Sequence, residues 1–342
     1  MEPVTHALTS FAVARAIHAR LPRFGTALLI TAGLAPDVDY ASYFAGPQGY
    51  LTLHRSALHA VPGGVALGCA LAAAFCMLDS RWPPAKNPRK PPPRLTFAAA
   101  AALSFLGIAA HDLLDVASGE GMQLLWPFRT HWFRWDLAES FDPWVLVLLI
   151  GGLLVPQLFR LVNEELGARK KHGVGSGAAV FTLLLLCVYF GARAYFHARA
   201  TDLLLSSEYH GREPLAAGAF PSPANLLDWR GVVSTDNTLE EFDVNLASAA
   251  EFNSDRSLTH YKPPDSPALE AAEDTGVARR FLRYAEFPLA SVAQREDGYR
   301  VELRDLRFSA GDETAANLIV RVELSGDFRV MRQTLRYASA GE

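Results

Sequence analysis

The sequence predicts a mainly α-helical, polytopic membrane domain of about six helices over residues 1–200, followed by a small soluble α+β domain over residues 201–342. Three observations predict it. Long apolar runs recur through residues 1–200. Basic segments, one of them proline-rich, separate several of these runs. After about Thr201 the chain becomes charge-rich and alternates apolar with polar residues, as in residues 299–308. The averages, 50% hydrophobic and 20% charged with a mean hydropathy of +0.10, conceal this contrast between the halves. A net charge of −4 speaks against a nucleic-acid partner of the basic-patch kind. Cys69, Cys76 and Cys187 all fall in apolar runs, where they read as core or lipid-facing residues rather than disulfide partners or zinc ligands.

Taken in order, residues 4–21 read as a modestly apolar helix ending near Leu21-Pro22-Arg23, and residues 24–35 as a second helix closed by Pro36. Each is short against the roughly 20 residues a bilayer requires, so the two are expected as a tilted hairpin. Met1-Glu2 is not a basic leader, and Arg15, His18 and Arg20 interrupt the first run, so no cleaved signal peptide is expected. Asp37-Val38-Asp39 follows. Two aspartates two apart do not share a helix face, but a loop after Pro36 lets both converge. Residues 40–53 read as a loop. Ser56 is a suitable N-cap for a third helix, which runs to about Leu78 and is rich in glycine and alanine, as closely packed membrane helices are. That start places His54 in the preceding loop and His59 in the first turn.

Residues 80–94 form a basic linker with Arg81, Lys86, Arg89, Lys90 and Arg94. The fourth helix, residues 95–116, ends in His111-Asp112-Leu113-Leu114-Asp115, where His111 and Asp115 share a face. Trp126, Phe128, Trp132, Phe133 and Trp135 then suit a membrane interface. A fifth helix spans residues 143–161, a second basic loop carries Arg169, Lys170 and Lys171, and a sixth helix spans residues 177–197. In the second domain a helix is expected over residues 266–285. Strands are expected over residues 299–308, 317–325 and 328–337, the last two joined at Gly326-Asp327.

Positive-inside counting makes the linkers at 80–94 and 160–173 and the turn at 20–23 cytoplasmic. With six crossings both termini and the second domain are then extracytoplasmic. The same orientation gathers His6, Asp37, Asp39, His54, His59, His111 and Asp115 at the outer face, although none of them was used to set it. Imidazole and carboxylate groups so gathered are the ligands of a divalent metal, zinc foremost, with manganese or magnesium as alternatives. Charged side chains at membrane depth are expensive and face a cavity or a partner.

The segments Thr5-His6, Gly33-Leu34-Ala35-Pro36-Asp37-Val38-Asp39, His54-Arg55-Ser56-Ala57-Leu58-His59 and His111-Asp112-Leu113-Leu114-Asp115, with Pro127-Phe128, together resemble the membrane-bound metal-dependent hydrolases of bacterial inner membranes. That family is distantly similar to zinc-dependent phospholipase C. The resemblance covers roughly residues 1–160 and implies metal-assisted hydrolysis of a lipid-linked phosphoester. His6, Asp37, His54, His59, His111 and Asp115 would bind metal. Asp39 would be a ligand or general base, and Arg55 would hold substrate phosphate. The further helical ligand pairs of phospholipase C are missing after Asp115, which implies one or two metals rather than three. The rival expectation is a non-enzymatic membrane protein with a structural or transported ion and a C-terminal binding domain.

Overall fold

The computed structural model describes residues 1–18, 21–82, 93–165, 174–223, 225–308 and 318–337. Most of the basic linker at 80–94, and the loop carrying Arg169, Lys170 and Lys171, lie outside the described residues. The chain divides into two compact units. The first comprises Met1–Asp39, Arg55–Arg129 and Phe133–Ala194, and the second Tyr40–His54, Thr130–Trp132 and Tyr195–Glu342.

The first unit is helical. Its elements are α1 (Pro3–Ala16), α2 (Gly25–Leu34), a 3₁₀ helix at Pro36–Ala45 of which only the first turn belongs to this unit, α4 (Val61–Arg81), α5 (Phe97–Ala117), α6 (Pro143–Glu165) and most of α7 (Val174–Leu205). An eight-residue helix that the sequence did not announce, α3 (Gly46–Leu53), belongs to the second unit. All six expected helices are present, but the described residues do not show six crossings. Among the described residues three helices are long and apolar enough to cross a membrane: Val61–Arg81, Phe97–Ala117 and Gly175–Leu205. At 1.5 Å per residue, α4 and α5 each reach roughly 31 Å, whereas α1 (14 residues) and α2 (10 residues) reach roughly 21 and 15 Å, too short for the ~30 Å hydrocarbon layer. α6 is 23 residues long, and the part of it whose side chains are described without a break, Pro143–Phe159, is apolar.

Helix starts follow local chemistry. Glu2 accepts from the Thr5 amide at the start of α1, and Thr96 accepts from the Ala99 amide at the start of α5. Ser56 does not cap the third helix as expected. A turn occupies residues 54–60 and α4 begins at Val61, with Pro62 in its first turn. A helix begun at Ser56 would carry Pro62 in its interior, where the ring removes a hydrogen bond and clashes with the preceding turn.

Close approach of α1, α2 and α5 rests on two glycines. A Cβ on Gly33 would stand 1.9 Å from Ser10 Oγ, and one on Gly107 would stand 2.8 Å from both the Leu29 carbonyl oxygen and Ala32 Cβ. Below this contact Ala14, Leu28, Leu29, Ala72, Leu95, Ala100 and Leu103 form the helical core.

The second unit holds two four-stranded antiparallel sheets. The first has the order β1 (Ala216–Pro221), β2 (Asp228–Ser234), β3 (Thr238–Asn245), β4 (Leu258–Tyr261). The second has the order β5 (Pro288–Arg295), β6 (Gly298–Asp305), β7 (Leu318–Ser325), β8 (Val330–Tyr337). Strands β6, β7 and β8 are those expected. β7 and β8 turn at Gly326-Asp327, with the Ser325 amide donating to the Arg329 carbonyl. The expected helix over 266–285 is two helices, α8 (Pro267–Glu273) and α9 (Gly276–Tyr284). Asp274 ends the first, and Thr275 caps the second by accepting from the Ala278 amide. Both pack on the second sheet, in a core of Leu269, Phe281, Val301, Leu303, Val320 and Val322 that also takes Leu51 of α3. Buried Arg307 pairs with Asp305 at 2.7 Å and donates to the Tyr284 carbonyl. The division at residue 200 assumed from composition falls inside α7, whose Ala200 and Leu204 lie in the core of the first sheet.

Candidate metal centre

Four segments of the helical unit bring polar side chains to one place: α1 with His6, the first turn of the 3₁₀ helix with Asp37 and Asp39, the turn before α4 with Arg55 and His59, and α5 with His111 and Asp115. His6, Arg55, His59, His111 and Asp115 are each at most 1% exposed. Ligand atoms of His6, Asp37, His111 and Asp115 all lie within 4.8 Å of one another. The cluster sits near the ends of α4 and α5 opposite their connecting basic linker.

The histidines are held by groups behind them. His111 Nδ1 is 2.9 Å from the Gly33 carbonyl oxygen. A carbonyl only accepts, so Nδ1 carries the hydrogen and Nε2 presents its lone pair to the cluster. The Gly33–Gly107 approach is what brings that carbonyl to α5. His59 Nδ1 is 3.0 Å from Asp39 Oδ2, which also accepts from the Arg55 amide at 2.9 Å. His59 Nε2 faces inward, 3.1 Å from His111 Nε2 and 3.3 Å from Asp115 Oδ2. The His6 ring stacks on His111 with centroids 3.8 Å apart, and its Nε2 is 3.2 Å from Asp115 Oδ1.

The cluster demands positive charge. Asp115 Oδ1 accepts from the Met1 amino group and lies 3.3 Å from the Arg55 guanidinium. Burial alone would lower the His59 pKa, but its hydrogen bonds to Asp115 and Asp39 carry it up to about 9. The Asp37 pKa is also raised, to about 6, because burial disfavours its charge. Both Asp37 oxygens are buried and accept no hydrogen bond, and His6 Nδ1 likewise lacks one. A buried carboxylate without a donor is costly. A divalent ion held by these four residues would satisfy such groups, and two imidazoles with two carboxylates fit zinc or manganese. The residues present therefore fit a metal.

The other expected residues have different surroundings. His54 packs its ring against Tyr40 and Tyr50, at 4.4 Å from each, and belongs with them to the second unit. It takes no part in the four-residue ligand group, because the chain turns at Arg55, whose φ of 55° is left-handed and sends the residues on either side apart. Arg55, expected to hold a substrate phosphate, has its guanidinium committed within the protein. It lies 3.3 Å from Asp115 Oδ1 and 3.5 Å from Glu120 Oε2, and it donates to Ser118 Oγ at 3.1 Å. Asp39 stands behind His59 rather than among the ligand atoms. Glu120, Ser118 and the Gly33 carbonyl were not read from the sequence. Nothing in their spacing marks them, since each reaches the site through a chain turn or a backbone atom.

Residues 1–200 match the sequence profile of the YdjM inner membrane protein family. The chain belongs to that family. No curated protein matches the chain, nor does any solved structure. The YdjM match establishes a bacterial inner-membrane protein, in accord with the three long apolar helices, and its description names no reaction.

Proposed function

We propose that this YdjM-family protein is a metal-dependent hydrolase of the inner membrane that acts on a lipid-linked phosphoester at the outer face. His6, Asp37, His111 and Asp115 would hold the metal, most simply zinc. The observation that carries the reading is Asp37, a buried carboxylate whose oxygens accept no hydrogen bond, with Oδ1 3.8 Å from the Nε2 of His111, a histidine whose tautomer is already set for coordination. When bound, a divalent ion supplies an acidified water and polarises a phosphoryl oxygen. Asp39 fixes the ring of His59 through Nδ1, leaving Nε2 to hold or pass a proton inside the cluster. This moves the acid–base role expected of Asp39 onto His59, with Asp39 positioning it. Arg55 balances Asp115 and Glu120 rather than meeting substrate. The outer-face assignment and the extracytoplasmic second unit rest on positive-inside orientation. They require α6 to cross as well as α4, α5 and α7.

One observation favours a structural ion instead: His59 and Asp115 are wholly buried, as ligands of a closed structural site are. Metal content of the purified protein and release of phosphate or headgroup from lipid vesicles separate the two. A hydrolase loses both metal and release in His111→Ala. Asp39→Asn keeps its metal and loses rate by about 10²- to 10⁴-fold, the usual contribution of proton transfer. Metal without any release, over a range of phospholipids, would favour the structural ion.

A further inference from the structure

At the far end of α1 from the metal cluster lies a groove of about 280 Å³ that the proposed chemistry does not use. Leu8 and Phe11 line it from α1, and Leu153, Leu154 and Pro156 from α6. Leu8, Phe11 and Arg15 stand three and four residues apart, so they form one stripe of α1. The stripe therefore ends in a cation. Arg15 is half-buried in the apolar wall and has no hydrogen-bond or carboxylate partner among the described residues. Gly175, near the start of α7, leaves the guanidinium its room: a Cβ there would stand 2.0 Å from Arg15 Nη2.

Depth says what an arginine is doing in such a wall. His111 is six residues from the C-terminal end of α5, roughly 9 Å along its axis. His6 stacks on His111, and Arg15 is nine residues further along α1, roughly 14 Å deeper. Arg15 therefore stands roughly 23 Å from the cluster end of a 31 Å span, near the opposite headgroup layer. That is the end where α5 begins after its basic linker and where α7 begins. An arginine at this depth needs an anion, and the nearest abundant one is lipid phosphate. The volume is just below the ~300–1,000 Å³ of whole-ligand pockets, which suits a stretch of one acyl chain.

We propose that this groove binds an anionic phospholipid of the cytoplasmic leaflet, its phosphate on Arg15 and one acyl chain along Leu8, Phe11 and Leu153. The site is independent of the metal reading. The test is native mass spectrometry and thermal unfolding of the full-length protein in neutral detergent, titrated with dioleoyl phosphatidylglycerol, dioleoyl phosphatidylcholine or inorganic phosphate. Phosphatidylglycerol should bind saturably and raise Tm. Arg15→Gln should weaken that binding at least tenfold, and Arg15→Lys should retain part of it. Leu153→Trp, which keeps the charge and fills the groove, should weaken it as well. Inorganic phosphate at the same concentrations should give no rise. Equal binding of phosphatidylglycerol by wild type and Arg15→Gln would overturn the proposal. So would equal binding by Leu153→Trp, or a Tm rise with inorganic phosphate alone, since the chain-binding wall would then contribute nothing.

Discussion

Asp37→Asn distinguishes a metal ligand from a merely buried acid, because the two predict opposite signs. In the metal-free protein, burial lifts the Asp37 carboxyl from 3.8 to about 6. That difference corresponds to roughly 3 kcal/mol against the charged form at neutral pH, at ~1.4 kcal/mol per pH unit. The pKa is raised on folding, so the cost is absent below about pH 4 and grows as pH rises to about 6. Asparagine removes it. Without metal, Asp37→Asn should therefore be more stable than wild type at pH 7.5, by up to about 3 kcal/mol, or several degrees in Tm. With zinc the order should reverse. Wild type gains RT ln(1 + [Zn]/Kd), about 2.7 kcal/mol at a hundredfold excess over Kd, and the variant gains little. The assay is thermal unfolding of both proteins in detergent with chelator and with zinc, alongside metal content per chain. A zinc-dependent rise in Asp37→Asn equal to that of wild type would refute the ligand assignment. A variant less stable than wild type in chelator would refute the account of Asp37 as an unsatisfied buried charge.

Three further outcomes follow from the fold. Gly107→Val forces α5 away from the Leu29 carbonyl and Ala32, so it should lower metal content and Tm together; unchanged metal in a folded protein would detach the helix contact from the site. Arg307→Ala leaves the Asp305 carboxylate buried without its cation. It should cost about 3–5 kcal/mol in the second unit, read as faster hydrogen exchange in β6 with α5 unaffected. A cysteine introduced in β8 should label with an impermeant reagent in intact cells whose outer membrane has been permeabilised, if α6 crosses the bilayer. Labelling only after lysis would place the second unit in the cytoplasm and invert the orientation.

Much of the first unit was legible in the sequence because membrane helices announce themselves locally. Apolar length, helix-breaking prolines and the i, i+4 spacing of His111 and Asp115 need no knowledge of the rest of the chain. The strands β6, β7 and β8 were legible for the same reason, since period-two alternation is local, as is the Gly326-Asp327 turn. The strands of the first sheet were not. Glu240 and Glu241 in β3 and the small residues of β1 blur the alternation, and their burial pattern comes from pairing with neighbours. Tertiary structure alone decided three things at the site. It set His54 among tyrosines, because the left-handed turn at Arg55 separates it from its neighbours. It gave Arg55 to Asp115 and Glu120, partners far along the chain. It also oriented His111 through a backbone carbonyl that only the close approach of two glycines could deliver. The sequence by itself determined which ligands this protein has to offer. Which of them meet, and with which lone pairs directed inward, depends on helix packing, because distances between segments are set by the side chains and glycines that lie between them.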